Sequence, residues 1–221
     1  MNNGVINLEE YIKKLEGFNL PDYNFFPPVD LYMEQVISYV SKCLGDFYNG
    51  TNNDIITPFM VNNYVKAKII KPPIDKKYDK NHISYLLAIS LLKSVVPMRD
   101  IATFIDLDEK LITNKDSLYD LFREIHDDTL KNIIHKTNIR LDLLSEKFEK
   151  NENQDIENLN LSYVALKLYV EAEISKQLAD EIMKSISGKL QPKDVMKESR
   201  KEHSLGNKKV SNEAKKIGNR K

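Results

Sequence analysis

Residues 56–105 read ITPFMVNNYVKAKIIKPPIDKKYDKNHISYLLAISLLKSVVPMRDIATFI and carry the clearest local structural signals in the chain. Thr57 followed by Pro58 is typical of a helix start, because the threonine hydroxyl can accept a free backbone N–H and proline has none to leave unpaired. This helix is predicted to end near Lys66. A tight basic loop with two adjacent prolines follows it.

Two more helices are predicted beyond that loop. Asp79 can cap the first of them, and Pro97 ends it and opens the second. The second of these helices is expected to turn three apolar side chains inward: Ile101, Phe104 and Ile105.

Upstream of this region, the pattern predicts a short helix over Asn7–Leu15 and an extended aromatic connector over Leu20–Pro28. Asp30 is expected to cap a helix that runs to about Leu44. Glycine is scarce and most apolar residues recur at helical spacing, so we expect almost no sheet.

Downstream, a long helix is predicted from Ser117 to about Lys150, then a polar linker at 150–160. A final helix from Leu161 to Ser187, ended by Gly188, is unusually apolar. We expect such a helix to be buried within the domain or against a second subunit.

The whole chain has 221 residues, of which 41% are hydrophobic and 30% charged. This composition predicts a folded protein with a buried core and rules out wholesale disorder. The single cysteine, Cys43, cannot form an intramolecular disulfide, and no apolar run reaches the roughly 18 residues of a membrane span. We expect a cytoplasmic protein without a membrane partner.

Charge is balanced overall but uneven along the chain. Lys and Arg total 33, as do Asp and Glu. Residues 193–221 carry ten Lys or Arg against four Asp or Glu, and residues 55–80 carry six lysines against two aspartates. Both local excesses suit contact with a polyanion. Residues 191–221 have too little apolar content to fold and are predicted to form a disordered basic tail.

No pattern typical of catalysis or metal binding is found in the sequence. The four histidines, at 82, 126, 135 and 203, lack the spacing that would place metal ligands on one helical face. A phosphate-cradling glycine loop and a nucleophile elbow are also missing. We therefore expect no enzymatic activity, no cofactor and no metal.

The helix that begins at Thr57 has two different sides. At 100° per residue one side carries Val61, Tyr64 and Val65 and is expected to face the core. The opposite side carries Phe59, Asn62, Asn63 and Lys66. Asparagine can bond adenine N6 and N7 together, lysine can reach guanine or phosphate, and an aromatic edge can contact a thymine methyl group. The polar side therefore predicts contact with the major groove of DNA.

The basic loop behind this helix is predicted to contact the flanking phosphates, which supply affinity without reading sequence. His82, at the start of the next helix, could touch phosphate as well. The candidate DNA-binding residues are Thr57, Phe59, Asn62, Asn63, Lys66, Lys68, Lys71, Lys76, Lys77, Tyr78 and His82.

Four segments taken in order resemble the winged helix-turn-helix of the MerR family: TPFMVNNYVKAKII at 57–70, the proline pair at 72–73, KKYDKNHISYLLAISLLK at 76–93 and PMRDI at 97–101. In that family a capped recognition helix ends in an aromatic residue. A short apolar pair then opens the wing, and a basic residue before a tyrosine closes it. The resemblance implies a recognition helix containing Asn62, Asn63, Tyr64 and Lys66, and a wing containing Lys76, Lys77 and Tyr78.

More narrowly, LPDYNFFPPVDLYMEQVI at 20–37, NNYVKAKIIKPP at 62–73 and KKYDKNHI at 76–83 are similar to a bacterial family known as domain of unknown function 1836. This likeness covers about Leu20 to Phe104 closely, extends loosely through the last helix and implies no activity.

Together these features predict an all-α protein with a MerR-like winged helix-turn-helix followed by long C-terminal helices. Residues 1–28 would form an N-terminal arm, 29–110 the helix-turn-helix domain, 111–190 a helical core and dimerisation region, and 191–221 the basic tail. The predicted function is a transcriptional regulator that binds double-stranded DNA as a homodimer, with no particular small-molecule effector implied. The alternative is a non-enzymatic helical module that uses the winged-helix surface to dock another protein.

Overall fold

The computed structural model of the chain describes residues 7–48, 55–111, 116–148 and 154–187. Within them lie α1 (Leu8–Glu16), α2 (Met33–Leu44), α3 (Pro58–Lys66), α4 (Lys80–Leu92), α5 (Met98–Leu111), α6 (Asp116–Phe148) and α7 (Gln154–Ser187), with β1 (Leu31–Tyr32), β2 (Lys77–Tyr78) and a 3-10 turn at Tyr23–Phe25. This mostly helical architecture confirms the predicted all-α class. Gly188 and the predicted basic tail lie outside the described residues.

The chain divides into two compact units, residues 1–174 and residues 175–221. The first unit contains α1 to α6 and the N-terminal part of α7. The described part of the second unit is the remainder of α7.

The core of the first unit is centred on α4. Ile83, Leu86, Leu87 and Ile89 of this helix are fully buried. They belong to one apolar cluster with side chains of the other elements, namely Val36, Val40 and Leu44 of α2, Val61 of α3, Ile101 and Ile105 of α5 and Tyr119 of α6. Since α4 is covered by several neighbours, it is the scaffold on which the smaller elements are placed.

The aromatic connector predicted at 20–28 packs across this core, and it contains the 3-10 turn. Phe26 is buried, with its ring centroid 5.0 Å from that of Tyr119. The Tyr119 hydroxyl donates to the carbonyl oxygen of Pro21 at 2.9 Å. Burial raises the pKa of Tyr119 well above its usual range, so this hydroxyl stays a donor and ties the connector to α6.

The two strands form a small antiparallel sheet in which Leu31 pairs with Tyr78 and Tyr32 with Lys77. Asp30 was expected to cap α2, and this was wrong. The residues after Asp30 pair with β2, and the helix begins only at Met33, where Gln35 Oε1 accepts the backbone N–H of Tyr32 at 2.9 Å. The sheet thus joins the chain before α2 to the end of the basic loop.

Two further expectations about the later helices are corrected. Phe104 is 44% exposed, so α5 turns Ile101 and Ile105 inward without it. The polar stretch predicted as a linker is helical from Gln154 onward, because α7 begins seven residues before Leu161. Polar side chains are compatible with a helix whose surface is mostly exposed, and the sequence pattern could not separate the two cases.

Candidate nucleic-acid interface

Helix α3 begins as the sequence predicts. The Thr57 side chain accepts the backbone N–H of Met60 at 3.2 Å, and Pro58 occupies the first turn. The helix ends at Lys66, where the Ala67 N–H donates to the Asn63 carbonyl at 2.8 Å. Lys68 then takes a left-handed backbone conformation with φ 57°, which turns the chain away from the helix axis. Both ends of this nine-residue helix are therefore defined by local contacts.

The two sides of α3 differ as the helical wheel predicts. Val61 and Tyr64 are buried in the core and Val65 is half-buried. Phe59 is 74% exposed, and the other exposed residues of this side are Asn62, Asn63 and Lys66. We call these four residues the α3 outer face. Two amides, one ammonium group and one aromatic ring are thereby held on a short helix whose opposite side is fixed in the core.

The basic loop between α3 and β2 is anchored at its beginning. Ile69 and Ile70 are buried, and both backbone N–H groups point to the Tyr64 carbonyl oxygen, at 2.9 and 3.5 Å. Lys68 and Lys71 are exposed on either side of this apolar pair. A small cavity of about 160 Å³ is lined by the same stretch, from Val65 to Pro72.

The loop turns back on itself at Ile74–Lys77, which we call the tip turn. The Lys77 N–H donates to the Ile74 carbonyl at 2.8 Å, and the two residues form an isolated antiparallel bridge. Asp75 and Lys76 between them both have positive φ, 49° and 63°. Positive φ at both central residues is typical of a type I′ hairpin turn, which is usually made by Asn-Gly or Asp-Gly. Here an aspartate and a lysine occupy the two central positions of the turn.

Three lysines in and beside the tip turn, Lys71, Lys76 and Lys77, differ in their exposure. Lys71 and Lys76 are exposed, whereas Lys77 is half-buried because its strand pairs with β1. The Lys77 ammonium group lies 5.5 Å from the ring centroid of Tyr32, a cation–π contact. Lys77 is consequently held beside the sheet.

The prediction that Tyr78 and His82 contact DNA is wrong, because both side chains are buried. Tyr78 is 3% exposed and His82 is 8% exposed, and their ring centroids lie 5.3 Å apart in an edge-to-face arrangement. The Nδ1 atom of His82 lies 2.7 Å from Asp79 Oδ1, and Nε2 lies 3.1 Å from the Lys71 carbonyl oxygen. Since both ring nitrogens are occupied inside the protein, His82 holds the basic loop against α4 and does not face a ligand.

Asp79 completes this attachment as the N-cap of α4. It accepts the backbone N–H of His82 at 3.0 Å, and its own N–H lies 3.2 Å from His82 Nδ1. Burial alone would raise the pKa of Asp79, but the hydrogen bonds and charge of His82 outweigh burial and lower the pKa below its ordinary value. The carboxylate form is the one that fits this site.

Sequence reasoning missed two exposed side chains beside the lysines. Ile74 is 78% exposed at the first corner of the tip turn, and Tyr32 is 54% exposed under Lys77. The signal for Ile74 was present, as an apolar residue among prolines and lysines. Tyr32 could not be found in that way, because its partner on β2 is Lys77, which is far away in the sequence.

Within the described residues, no group of three or more His, Cys, Asp or Glu side chains is placed to hold a metal ion. In the same part of the chain, none of the helices combines the length and the apolarity needed to cross a membrane.

Residues 21–129 match the model of a protein family described as Domain of unknown function (DUF1836). This match supports the DUF1836 family for the segment that contains the connector, α2 to α5 and the first part of α6. No curated protein and no solved structure matches the chain.

Proposed function

We propose that this chain, which carries the DUF1836 segment at 21–129, is a sequence-specific DNA-binding regulator of transcription. In this proposal the α3 outer face lies in a major groove, and the tip turn with Lys71 lies along the neighbouring backbone. The observation that supports it most is the placement of the α3 outer face. Asn62, Asn63 and Lys66 are exposed while Val61 and Tyr64 fix the other side of the helix in the core.

The order of elements supports a MerR-like winged helix-turn-helix as the finer form of the proposal. Helix α3 is followed by the buried pair Ile69–Ile70, the tip turn, β2 and α4. The basic and tyrosine residues of the resemblance, Lys77 and Tyr78, form β2 itself. The proposed wing is short, since its two strands are two residues each and β2 pairs with β1.

Dimerisation through the long C-terminal helices is the second part of the proposal. Five apolar residues of the first unit, spaced three or four apart on α7, are all exposed: Leu159, Tyr163, Leu166, Val170 and Ile174. We call them the α7 apolar row. A contiguous apolar row on an exposed helix is typical of an interface. A second copy would also supply a second α3, and paired half-sites give the surface that one helix-turn-helix lacks.

A second candidate function is protein docking through the same winged surface. It is favoured by the exposed Phe59, Tyr32 and Ile74, which give this surface more apolar area than phosphate contact requires. DNA binding and docking differ in their response to salt, because release of counterions from DNA makes affinity fall steeply as salt rises.

The test is a fluorescence-anisotropy titration of the full chain with mixed genomic duplex at several salt concentrations. Exchanging the two lysines of the tip turn for glutamate (Lys76→Glu with Lys77→Glu) should reduce binding by more than about ten-fold. The slope of log affinity against log salt should also become shallower by about one for each phosphate that the variant no longer neutralises.

The matched control is Lys131→Glu with Lys136→Glu, two exposed lysines of α6. This pair changes the net charge by the same amount at a site away from the loop, so it should leave binding nearly unchanged. If the control pair weakens binding as much as the loop pair, net charge and not the loop governs binding, and the proposal fails.

A further inference from the structure

The tip turn combines three features that the proposed contact with phosphates does not require. Ile74 is 78% exposed, Asp75 and Lys76 both adopt left-handed backbone conformations, and Pro72 and Pro73 stiffen the chain that leads to them. A single exposed isoleucine is ordinary on a protein surface. An exposed isoleucine on a strained turn that follows two prolines is less ordinary, because backbone strain of this kind clusters at functional sites.

The charge around Ile74 indicates what it could enter. Lys71, Lys76 and Lys77 are set against Asp75, which gives residues 71–77 two net positive charges. Proteins that bend DNA place an apolar side chain such as isoleucine between two base pairs in the minor groove, with basic residues beside it for the phosphates. A rigid tip with one apolar residue and flanking lysines has this chemistry.

The turn geometry also limits which side chains of the loop can contact a ligand. Lys77 is held beside the sheet by the Ile74 carbonyl and by the Tyr32 ring, 5.5 Å from its ammonium group. Lys76 and Ile74 remain at the exposed end of the loop. A bilayer surface is the other partner that combines apolar and anionic chemistry. One isoleucine, however, buries too little apolar surface to hold a protein on a membrane.

We propose that Ile74 is an apolar wedge that enters the minor groove of duplex DNA and unstacks one base step beside the site bound by α3. This inference rests on the proposed DNA-binding function and assigns to the loop a role in deforming DNA. Sequence selection then depends in part on how easily that step opens. Pyrimidine–purine steps are flexible and are easily unstacked.

The experiment uses the full chain and a duplex that the wild-type chain recovers from a random pool. Copies of this duplex carry 2-aminopurine at successive positions, and its fluorescence rises when the base is unstacked. The wild type should raise the signal at one step in each half-site. With Ile74→Ser that rise should vanish and binding should weaken by about ten-fold, the change expected when the burial of one isoleucine is removed. Ile74→Val should keep most of the signal.

Val95→Ser is the matched control, because Val95 is also an exposed apolar residue, 54% accessible between α4 and α5. It should leave both signal and affinity unchanged. If wild type binds the duplex without unstacking any step, or if Ile74→Ser unstacks it equally, the wedge is wrong and DNA binding stands. If the wild type recovers no duplex, both proposals fail. Binding to phosphatidylglycerol vesicles that disappears with Ile74→Ser, without unstacking of DNA, would overturn the wedge in favour of a membrane contact.

Discussion

Helices α4 and α7 are both rich in apolar residues, yet they are buried to very different extents. In α4, Ile83, Leu86 and Leu87 are completely covered by the surrounding elements. In α7, Tyr163, Leu166 and Ile174 each leave more than half of their surface exposed. Apolar content therefore does not determine whether a helix is buried inside its own chain or leaves its apolar side for a second molecule. We infer that α4 stabilises the single chain and that α7 stabilises an assembly.

Equivalent substitutions in α4 and α7 should separate these two roles within one subunit. Leu87→Ala removes a fully buried side chain of α4 and should lower the free energy of unfolding by about 2 to 5 kcal/mol. Leu166→Ala, the same substitution on α7, should change it by less than about 0.5 kcal/mol when measured at low protein concentration. Urea denaturation followed by circular dichroism measures both. Equal decreases in the two variants would remove the distinction between the helices.

The second prediction concerns the assembly itself. Charges placed in the α7 apolar row, by Leu166→Glu with Val170→Glu, should convert a dimer to a monomer, because carboxylates would have to be buried without partners. Analytical ultracentrifugation measures the change in mass, and Val95→Glu is the control for an added charge elsewhere. The wild-type unfolding midpoint should also rise with protein concentration, as it does for a dimer, and that dependence should disappear in the double variant. A wild type that sediments as a monomer contradicts dimerisation through α7.

The Asp79 carboxylate, which attaches the basic loop to α4, should make a small and pH-dependent contribution to stability. The lowered pKa of Asp79 means that its carboxylate stabilises the fold above the unfolded value near 3.8. That stabilisation disappears as the pH falls through the lower folded value. Asp79→Asn retains a residue that can cap the helix, so stability at pH 7 should drop by less than about 1 kcal/mol.

Thermal unfolding followed from pH 7 down to acidic pH, below the folded pKa of Asp79, tests this prediction. The stability of the variant should fall less steeply at the acidic end than that of the wild type. Asp128→Asn, a change at an exposed aspartate of α6, is the control. Curves for Asp79→Asn and wild type that run parallel over the whole range would show that the Asp79 charge does not stabilise the fold.

The parts of the fold that were predicted correctly depend on short-range contacts. Thr57 and Asp79 cap their helices through hydrogen bonds to residues three positions away, and the spacing of Val61 and Tyr64 alone identifies the buried side of α3. Such signals lie within a few residues of one another, and for this reason a single sequence is enough to find them.

Two of the wrong predictions concern residues whose partners are distant in the sequence. Asp30 has the properties of a cap, but the residues that follow it pair with a strand at the end of the basic loop. His82 has the properties of an exposed phosphate ligand, but its ring reaches the Lys71 carbonyl and is buried. In both cases a non-local contact determines the role of the residue, and the local sequence pattern does not reveal that contact.

The α3 outer face is proposed to read the DNA sequence, and selection of bound sequences from a random duplex pool measures whether it does. We expect the wild-type chain to recover one motif arranged as an inverted repeat. We also expect Asn62→Ala with Asn63→Ala to lose the motif but keep salt-sensitive binding, whereas Asn132→Ala with Asn158→Ala, two exposed asparagines of α6 and α7, should recover the wild-type motif. A pool without any enriched motif, or a motif that survives the replacement of Asn62 and Asn63, would contradict this role of the α3 outer face.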